Sequence, residues 1–197
     1  MSNEKSVYGT QVLTSECRIL WPHLFEAHAF KPEDKPKFMC SLVFKKNDPF
    51  IVKLKSEALK VFQTKFEDSK VIKNLKEYPA NLIGYRLGIR DADADPAFEK
   101  FDYLAGCYVI GVKSTVQPVV IDQNKQEILD ASQVYGGCYV RALITPSAYD
   151  QKGGKGPNFY FSSLQKLRDG TPLSGGINKE KEMSAFDVVP MDNEIYN

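Results

Sequence analysis

The sequence predicts a mainly β protein, built as a small five-stranded Greek-key barrel with one inserted α-helix and a flexible acidic C-terminal tail. Short apolar runs rich in β-branched and aromatic residues recur along the 197-residue chain, with turn residues between them. Only residues 48–66 carry clear helical periodicity, and they lie between the second and third predicted strands. This arrangement favours a barrel of the oligonucleotide-binding (OB) type over a parallel α/β sheet.

The first two strands frame an irregular segment. Residues 7–20 alternate imperfectly and predict a strand that ends at Trp21 and Pro22. Several prolines make residues 22–36 a predicted irregular connection, because proline lacks the N–H that sheet pairing needs. Residues 37–46 alternate cleanly between apolar and polar side chains, and they form the best predicted strand.

The helix is predicted to begin at Asp48 and Pro49. Aspartate is a preferred N-cap residue, and proline is favoured at the first helical position. The apolar residues that follow are spaced three and four apart, which places them on one stripe facing the core. They are Ile51, Leu54, Ala58, Val61, Phe62 and Phe66.

The second half of the chain predicts further strands and a long hairpin. Residues 79–105 carry mixed signals, and strand patterning returns at residues 106–114 and 116–121. Residues 135–170 then predict a β-hairpin whose Gly- and Lys-rich tip lies at residues 150–157. We predict one domain over residues 1–176 and a mildly acidic tail over residues 177–197.

Charge is unevenly distributed along the chain. The formal net charge of +1 includes −3 from residues 179–197, which hold two lysines and five acidic residues, so the remainder carries +4. The four cysteines are far apart and form no CxxC pattern, so we expect buried free thiols rather than a metal site or disulfides. No apolar run is long enough to cross a membrane, and the polar start is not a signal peptide. We therefore expect a soluble intracellular protein with no membrane association.

Three aspartates form the best catalytic candidate. Asp91, Asp93 and Asp95 imitate the opening of a calcium loop, but Pro96 stands where such a loop needs glycine. His23 and His28 have no cysteine partner at zinc spacing. No nucleophile elbow or phosphate-binding motif is present. The sequence therefore predicts no enzyme, no metal and no cofactor.

A binding function draws on more residues. Tyr139 and Arg141 share one face of a predicted strand, whereas the other face is apolar. A ring on which a base can stack, next to cations that meet phosphates, is what sequence-tolerant binding of single-stranded nucleic acid requires. The predicted interface comprises Arg18, Lys37, Lys45, Lys46, Tyr108, Lys113, Tyr139, Arg141, Tyr149, Lys152, Lys155, Tyr160, Lys166 and Arg168.

Six stretches, in order along nearly the whole chain, form a recognisable set. They are Arg-Ile-Leu-Trp-Pro-His-Leu-Phe-Glu (18–26), Lys-Pro-Lys-Phe-Met-Cys-Ser-Leu-Val-Phe (35–44), Ile-Arg-Asp (89–91), Gly-Cys-Tyr-Val (106–109), Tyr-Gly-Gly-Cys-Tyr-Val-Arg (135–141) and Leu-Gln-Lys-Leu-Arg-Asp-Gly (164–170). As an ordered set they resemble a family of tailed-phage single-stranded-DNA-binding proteins that was long catalogued as a phage domain of unknown function. The resemblance implies an OB barrel with a helical insertion. It also implies binding of single-stranded DNA without sequence preference, in the host cytoplasm, during phage replication, recombination or repair.

The resemblance further implies an acidic tail that recruits replication or recombination proteins and competes with DNA. Here the tail is sparse in acid, which departs from the family pattern. Its candidate partner-binding residues are Asp187, Asp192, Glu194 and Tyr196. Two alternative functions stay open at this point: a metal-dependent phage nuclease using the three aspartates, and a β-barrel virion structural protein. The oligomeric state, monomer or dimer, also stays open.

Replacing Tyr139 and Arg141 together with alanine tests the predicted interface. We expect this double variant to weaken single-strand binding far more than it lowers the melting temperature, because each base stack contributes about 1–3 kcal/mol. Fluorescence titration and thermal melting would measure the two effects. An unchanged dissociation constant would count against this placing of the site.

Overall fold

The computed structural model describes residues 7–66, 88–151, 154–173 and 183–187. Within these residues the chain forms one α-helix, α1 (Pro49–Lys65), and nine β-strands. The strands are β1 (Val7–Tyr8), β2 (Val12–Leu13), β3 (Cys17–His28), β4 (Lys37–Lys45), β5 (Ile89–Asp91), β6 (Cys107–Ser114), β7 (Val119–Ile121), β8 (Tyr139–Gln151) and β9 (Gly154–Arg168).

Five strands close into a barrel. The order is β8-β3-β4-β6-β9, and β9 pairs back onto β8 along almost its whole length. All pairs in the ring are antiparallel except β6 with β9, which is parallel. This is the strand order of a Greek-key OB barrel, so the predicted fold class is confirmed.

Strand β3 is longer than the sequence pattern predicted. It continues through Trp21 and Pro22 to His28, so the prediction that the strand ends at Trp21 was wrong. The pairing with β4 shifts register between Leu20 and His23, and a bulge of this kind tolerates proline inside a strand. At the shift the strand bends, and it stays paired with β4 on both sides of the bend.

Helix α1 follows the prediction closely. The Asp48 side chain accepts a hydrogen bond from the backbone N–H of Phe50, and Pro49 is the first helical residue. The predicted apolar stripe is buried and packs against β8 and β1. Together with the inward-facing residues of the barrel, it forms the main hydrophobic core.

A second, smaller core lies on the outside of the barrel. Val43 of β4 and Val109 of β6 face outward, where residues 92–104 cover them with Phe98 and Leu104. This covering segment includes short 3₁₀ turns at Pro96–Phe98 and Asp102–Leu104. It covers only one end of the outer face of β4 and β6, and the other end forms the site described below.

The four cysteines are buried free thiols, as the sequence predicted. Burial raises the pKa of both Cys17 and Cys40. No helix in the described ranges has the length and apolar character needed to span a membrane. The domain boundary at residue 176 stays a prediction, because residues 174–182 lie outside the described part of the chain.

Candidate nucleic-acid interface

A cavity of about 300 Å³ opens on the barrel, at the end of β4 and β6 that the covering segment leaves free. We call this cavity the groove. Its lining comes from β3, the β3–β4 connection, β4, β6 and β9, and most of it is aromatic, apolar or small. The lining residues are Trp21, His23, Phe30, Met39, Cys40, Ser41, Gly111, Val112, Lys113 and Asn158.

The floor of the groove is set by the register of β4 against β6. Met39 lies opposite Lys113, and Ser41 lies opposite Gly111. Apart from its two chain neighbours, no atom of the described residues lies within 4 Å of the position that a Cβ atom on Gly111 would occupy. Glycine inside a strand often marks a place where a ligand approaches the backbone closely. Gly111 therefore leaves the middle of the floor open.

One wall of the groove is Trp21, which adopts a backbone conformation that bulky residues rarely take. Its φ is +47°, at the register shift of β3. Its half-buried ring packs against Phe101 of the covering segment, with ring centroids 5.6 Å apart. Strained backbone that persists in a structure clusters at functional sites. The strain here turns a large aromatic ring towards an open groove.

The opposite end of the groove, towards the β3–β4 connection, carries three more rings. The rings of His23 and His28 are stacked, with centroids 4.3 Å apart and planes 11° from parallel. Phe30 meets His28 edge-on at 5.5 Å and is 77% exposed. Exposed aromatic faces beside a groove are surfaces on which nucleic-acid bases stack.

Two lysines beside the groove have no acidic partner among the residues that the structure describes. Burial lowers the pKa of Lys113, and the positive charge of Lys37 lowers it further. Among the described residues, no carboxylate lies within ion-pair distance of either lysine. A partly buried cation held beside a second cation is unfavourable unless an anion binds there. The two lysines therefore concentrate positive charge at this end of the barrel.

Four of the residues predicted from the sequence lie together at this site. The ring centroid of Tyr149 is 6.0 Å from the Lys113 ammonium, and Tyr160 on β9 pairs in register with Lys113. Tyr160 also contacts Tyr8, with ring centroids 5.6 Å apart. Lys37, Lys113, Tyr149 and Tyr160 thus extend the groove across β4, β6 and β9 towards the β8–β9 hairpin.

Tyr139 lies on a different part of the barrel, in a row with Arg18 and Arg168 across β3, β8 and β9. The Arg168 guanidinium lies 3.3 Å from the centroid of the Tyr139 ring, and the Arg18 guanidinium lies 5.1 Å from it. Arg18 also donates hydrogen bonds to the carbonyl oxygens of Gly137 and Thr171. The row contacts residues 169–173, and the role of these three side chains in DNA binding stays a prediction.

Two more of the predicted cations, Arg141 and Lys166, also make internal contacts. Arg141 donates a hydrogen bond to the Gln165 side chain at 2.7 Å, and Lys166 forms an ion pair with Asp169 at 2.7 Å. Tyr108 faces the core side of β6, and the Lys55 ammonium lies 4.1 Å from its ring centroid. Lys45 is exposed at the far end of β4. The roles of all these residues in DNA binding stay predictions.

The three aspartates of the catalytic alternative hold the covering segment in place. Lys46 forms ion pairs with Asp91 at 2.6 Å and with Asp93 at 2.7 Å, and Asp95 pairs with Arg90 at 2.6 Å. These contacts lower the pKa of Asp93 and of Asp95. No cluster of three or more histidine, cysteine, aspartate or glutamate side chains suited to a metal occurs in the ranges that the structure describes.

Several predicted residues lie outside the description. The side chains of Lys152 and Lys155 at the hairpin tip are not among those described, and neither are Asp192, Glu194 and Tyr196 of the tail. Asp187 is exposed. The tail as a partner-binding segment therefore stays a prediction.

Sequence reasoning missed the residues that line the groove. Trp21, Phe30 and Gly111 were not among the predicted interface residues, and His23 was considered only as a metal ligand. Two signals were available in the sequence: a glycine in the middle of the apolar run 107–112, and a Trp-Pro pair inside a run that otherwise continues as a strand. Neither signal by itself indicates which surface the residue faces.

The family model described as "Enterobacter phage Enc34, ssDNA-binding protein" matches residues 10–195. The chain is 26% identical over 168 residues to protein p50 of Acyrthosiphon pisum secondary endosymbiont phage 1, which covers 84% of this chain and 88% of that protein.

Solved structures agree with the family match. The single-stranded DNA-binding protein from bacteriophage Enc34, in complex with single-stranded DNA, is similar with a TM-score of 0.63 and 26% identity, over 87% of this chain and 99% of that one. The bacteriophage T7 protein gp2.5, a single-stranded DNA-binding protein, is similar with a TM-score of 0.57 over 96% of this chain and 100% of that one. At 12% identity, the likeness to gp2.5 shows the fold alone.

Proposed function

The chain belongs to the family of the Enterobacter phage Enc34 single-stranded-DNA-binding protein, and on that premise we propose that it binds single-stranded DNA in the groove without sequence preference. The observation that carries the proposal is the pair of lysines, Lys37 and Lys113, which have no acidic partner in the described part of the chain and lie beside an open aromatic groove. A similar protein of bacteriophage Enc34 has been solved in complex with single-stranded DNA.

Binding combines two kinds of contact. The ammonium groups of Lys37 and Lys113 contact the phosphate backbone, and their positive charges are neutralised on binding. Bases stack on Trp21 and Phe30, while Gly111 gives them room against the sheet. Stacking and backbone contacts are available to every base, so the binding tolerates any sequence.

The protein acts by binding and not by catalysis. The carboxylates that a nuclease would use, Asp91, Asp93 and Asp95, are engaged with Lys46 and Arg90. Single-stranded DNA that is bound and protected inside the infected host cell serves replication, recombination or repair of the phage genome. The segment 177–197 forms a separate tail that recruits partner proteins through Asp187, Asp192, Glu194 and Tyr196.

A titration at several salt concentrations tests this function. The log of the binding constant for an oligodeoxythymidine should fall by about 0.7 per phosphate neutralised for each log unit of salt. A mixed-sequence strand of equal length should bind within a few-fold of it, and both strands should stay intact with magnesium present. A salt-independent binding constant, or cleavage of the bound strand, would overturn the proposal.

A further inference from the structure

The stacked rings of His23 and His28 have no role in the binding mode proposed above, which relies on lysines and other aromatic residues. Both residues are on β3, five positions apart, and the register shifts of this strand bring their rings to 4.3 Å. His23 lines the groove, and His28 pairs in register with Lys37 of β4. The pair therefore lies next to the lysines that contact phosphate.

The surroundings of His23 favour its neutral state in the free protein. Burial lowers the pKa of His23, the neighbouring His28 lowers it further, and Glu26 on the same strand raises it. Lys37 on β4 and Lys113 on β6 face this end of the groove and add positive charge. The β3–β4 connection contributes charges of both signs, namely Lys31, Glu33, Asp34 and Lys35.

A bound phosphate shifts the equilibrium between the neutral and the protonated imidazole towards the protonated form. A negative charge next to an imidazole favours the protonated ring, because opposite charges at close range stabilise the charged form. Protonation of both stacked rings costs free energy, since two positive charges about 4 Å apart repel each other. The pair therefore takes up about one proton when a phosphate binds beside it.

We propose that His23 and His28 form a proton-dependent phosphate site, so that single-stranded DNA binds with uptake of a proton and its affinity rises as the pH falls. This inference rests on the proposed function and names a regulation of the same groove. The whole sequence contains only these two histidines. Because histidine is the side chain that ordinarily titrates between about pH 5 and 8, this chain offers a clear test.

A fall in pH lowers the stability of the free protein, whereas it raises the affinity for DNA. The folded-state pKa of His23 lies below its unfolded value, so the unfolded chain binds more protons as the pH falls below about 6.5. The free protein therefore loses stability as the pH drops through this range. Tighter DNA binding over the same range cannot result from a better-folded protein, which separates the site from a general effect of pH on folding.

The experiment measures the dissociation constant of the full chain for an oligodeoxythymidine with a rhodamine label, whose fluorescence does not titrate in this range. We expect binding about three- to tenfold tighter at about pH 5.5 than at about pH 7.5, because uptake of one proton changes affinity by up to tenfold per pH unit. Calorimetry in two buffers with different ionisation enthalpies should show uptake of up to one proton per complex.

Two variants complete the test. The double variant His23→Gln with His28→Gln should bind with little dependence on pH, whereas Lys113→Gln should bind more weakly at every pH and keep the dependence. If the wild-type affinity does not change with pH, or if the histidine double variant keeps the change, the inference fails. Failure of the proposed function is a different result, because no variant and no pH would then give salt-sensitive binding.

Discussion

Replacing both Lys37 and Lys113 with glutamine is expected to weaken single-stranded DNA binding about thirtyfold or more. Each lysine that meets a phosphate contributes about 1.5 kcal/mol, the lower end of the usual scale for a hydrogen bond to a charged group, which is about tenfold in affinity. The slope of log affinity against log salt should also fall by about 1.4, because two phosphates are no longer neutralised. Glutamine removes the repulsion between the two cations, so the free energy of unfolding should not decrease.

The matched control replaces two other lysines, Lys53 and Lys125, with glutamine. Both are exposed and lie away from the groove, on α1 and on the turn after β7. This control changes the net charge by the same amount and should change affinity by no more than a few-fold. An equal loss of affinity in the two double variants would mean that overall charge, and not the groove, drives binding.

Replacing Gly111 with leucine is expected to weaken binding by about tenfold or more without loss of stability. Apart from the chain neighbours of Gly111, no atom of the described residues lies within 4 Å of the new Cβ position, and Gly111 has no positive φ, so a side chain can start here without strain and extend into the groove. A side chain there fills the floor that a base would occupy, which costs about the energy of one stack, 1–3 kcal/mol. Glycine inside a strand is itself destabilising by about 0.5–1 kcal/mol, so the variant should melt at the same or a higher temperature.

The variant Gly111→Ala adds a smaller side chain, so that glycine, alanine and leucine at this position form a series of increasing size. A methyl group leaves most of the groove open, so its affinity should fall between that of the wild type and that of the leucine variant. Binding titrations and thermal melts of the three proteins would measure both effects. If leucine leaves the dissociation constant unchanged, bases do not pass over Gly111, and the groove is not the binding surface.

Local sequence patterns determined the architecture correctly. The 3.6-residue period after Asp48 and Pro49 fixed α1, because a capped apolar stripe has no competing arrangement. Period-two alternation fixed β4 and the faces of its residues, because one face must be buried. The same reasoning failed at Trp21, where a register shift carries the strand past a proline. A bulge depends on the partner strand, which the local pattern does not contain.

Only the tertiary structure decided which of the predicted cations pair with acidic side chains in the described part of the chain. Lys37 and Lys46 lie at the two ends of one predicted strand, and the local sequence pattern does not distinguish them. The fold then brings Asp91 and Asp93 to Lys46, whereas Lys37 meets another cation, Lys113. Composition and periodicity thus determined the barrel and its positive charge. The location of the unpaired charge depended on contacts between residues far apart in the chain, because ion pairing is decided by distance in space and not by order along the sequence.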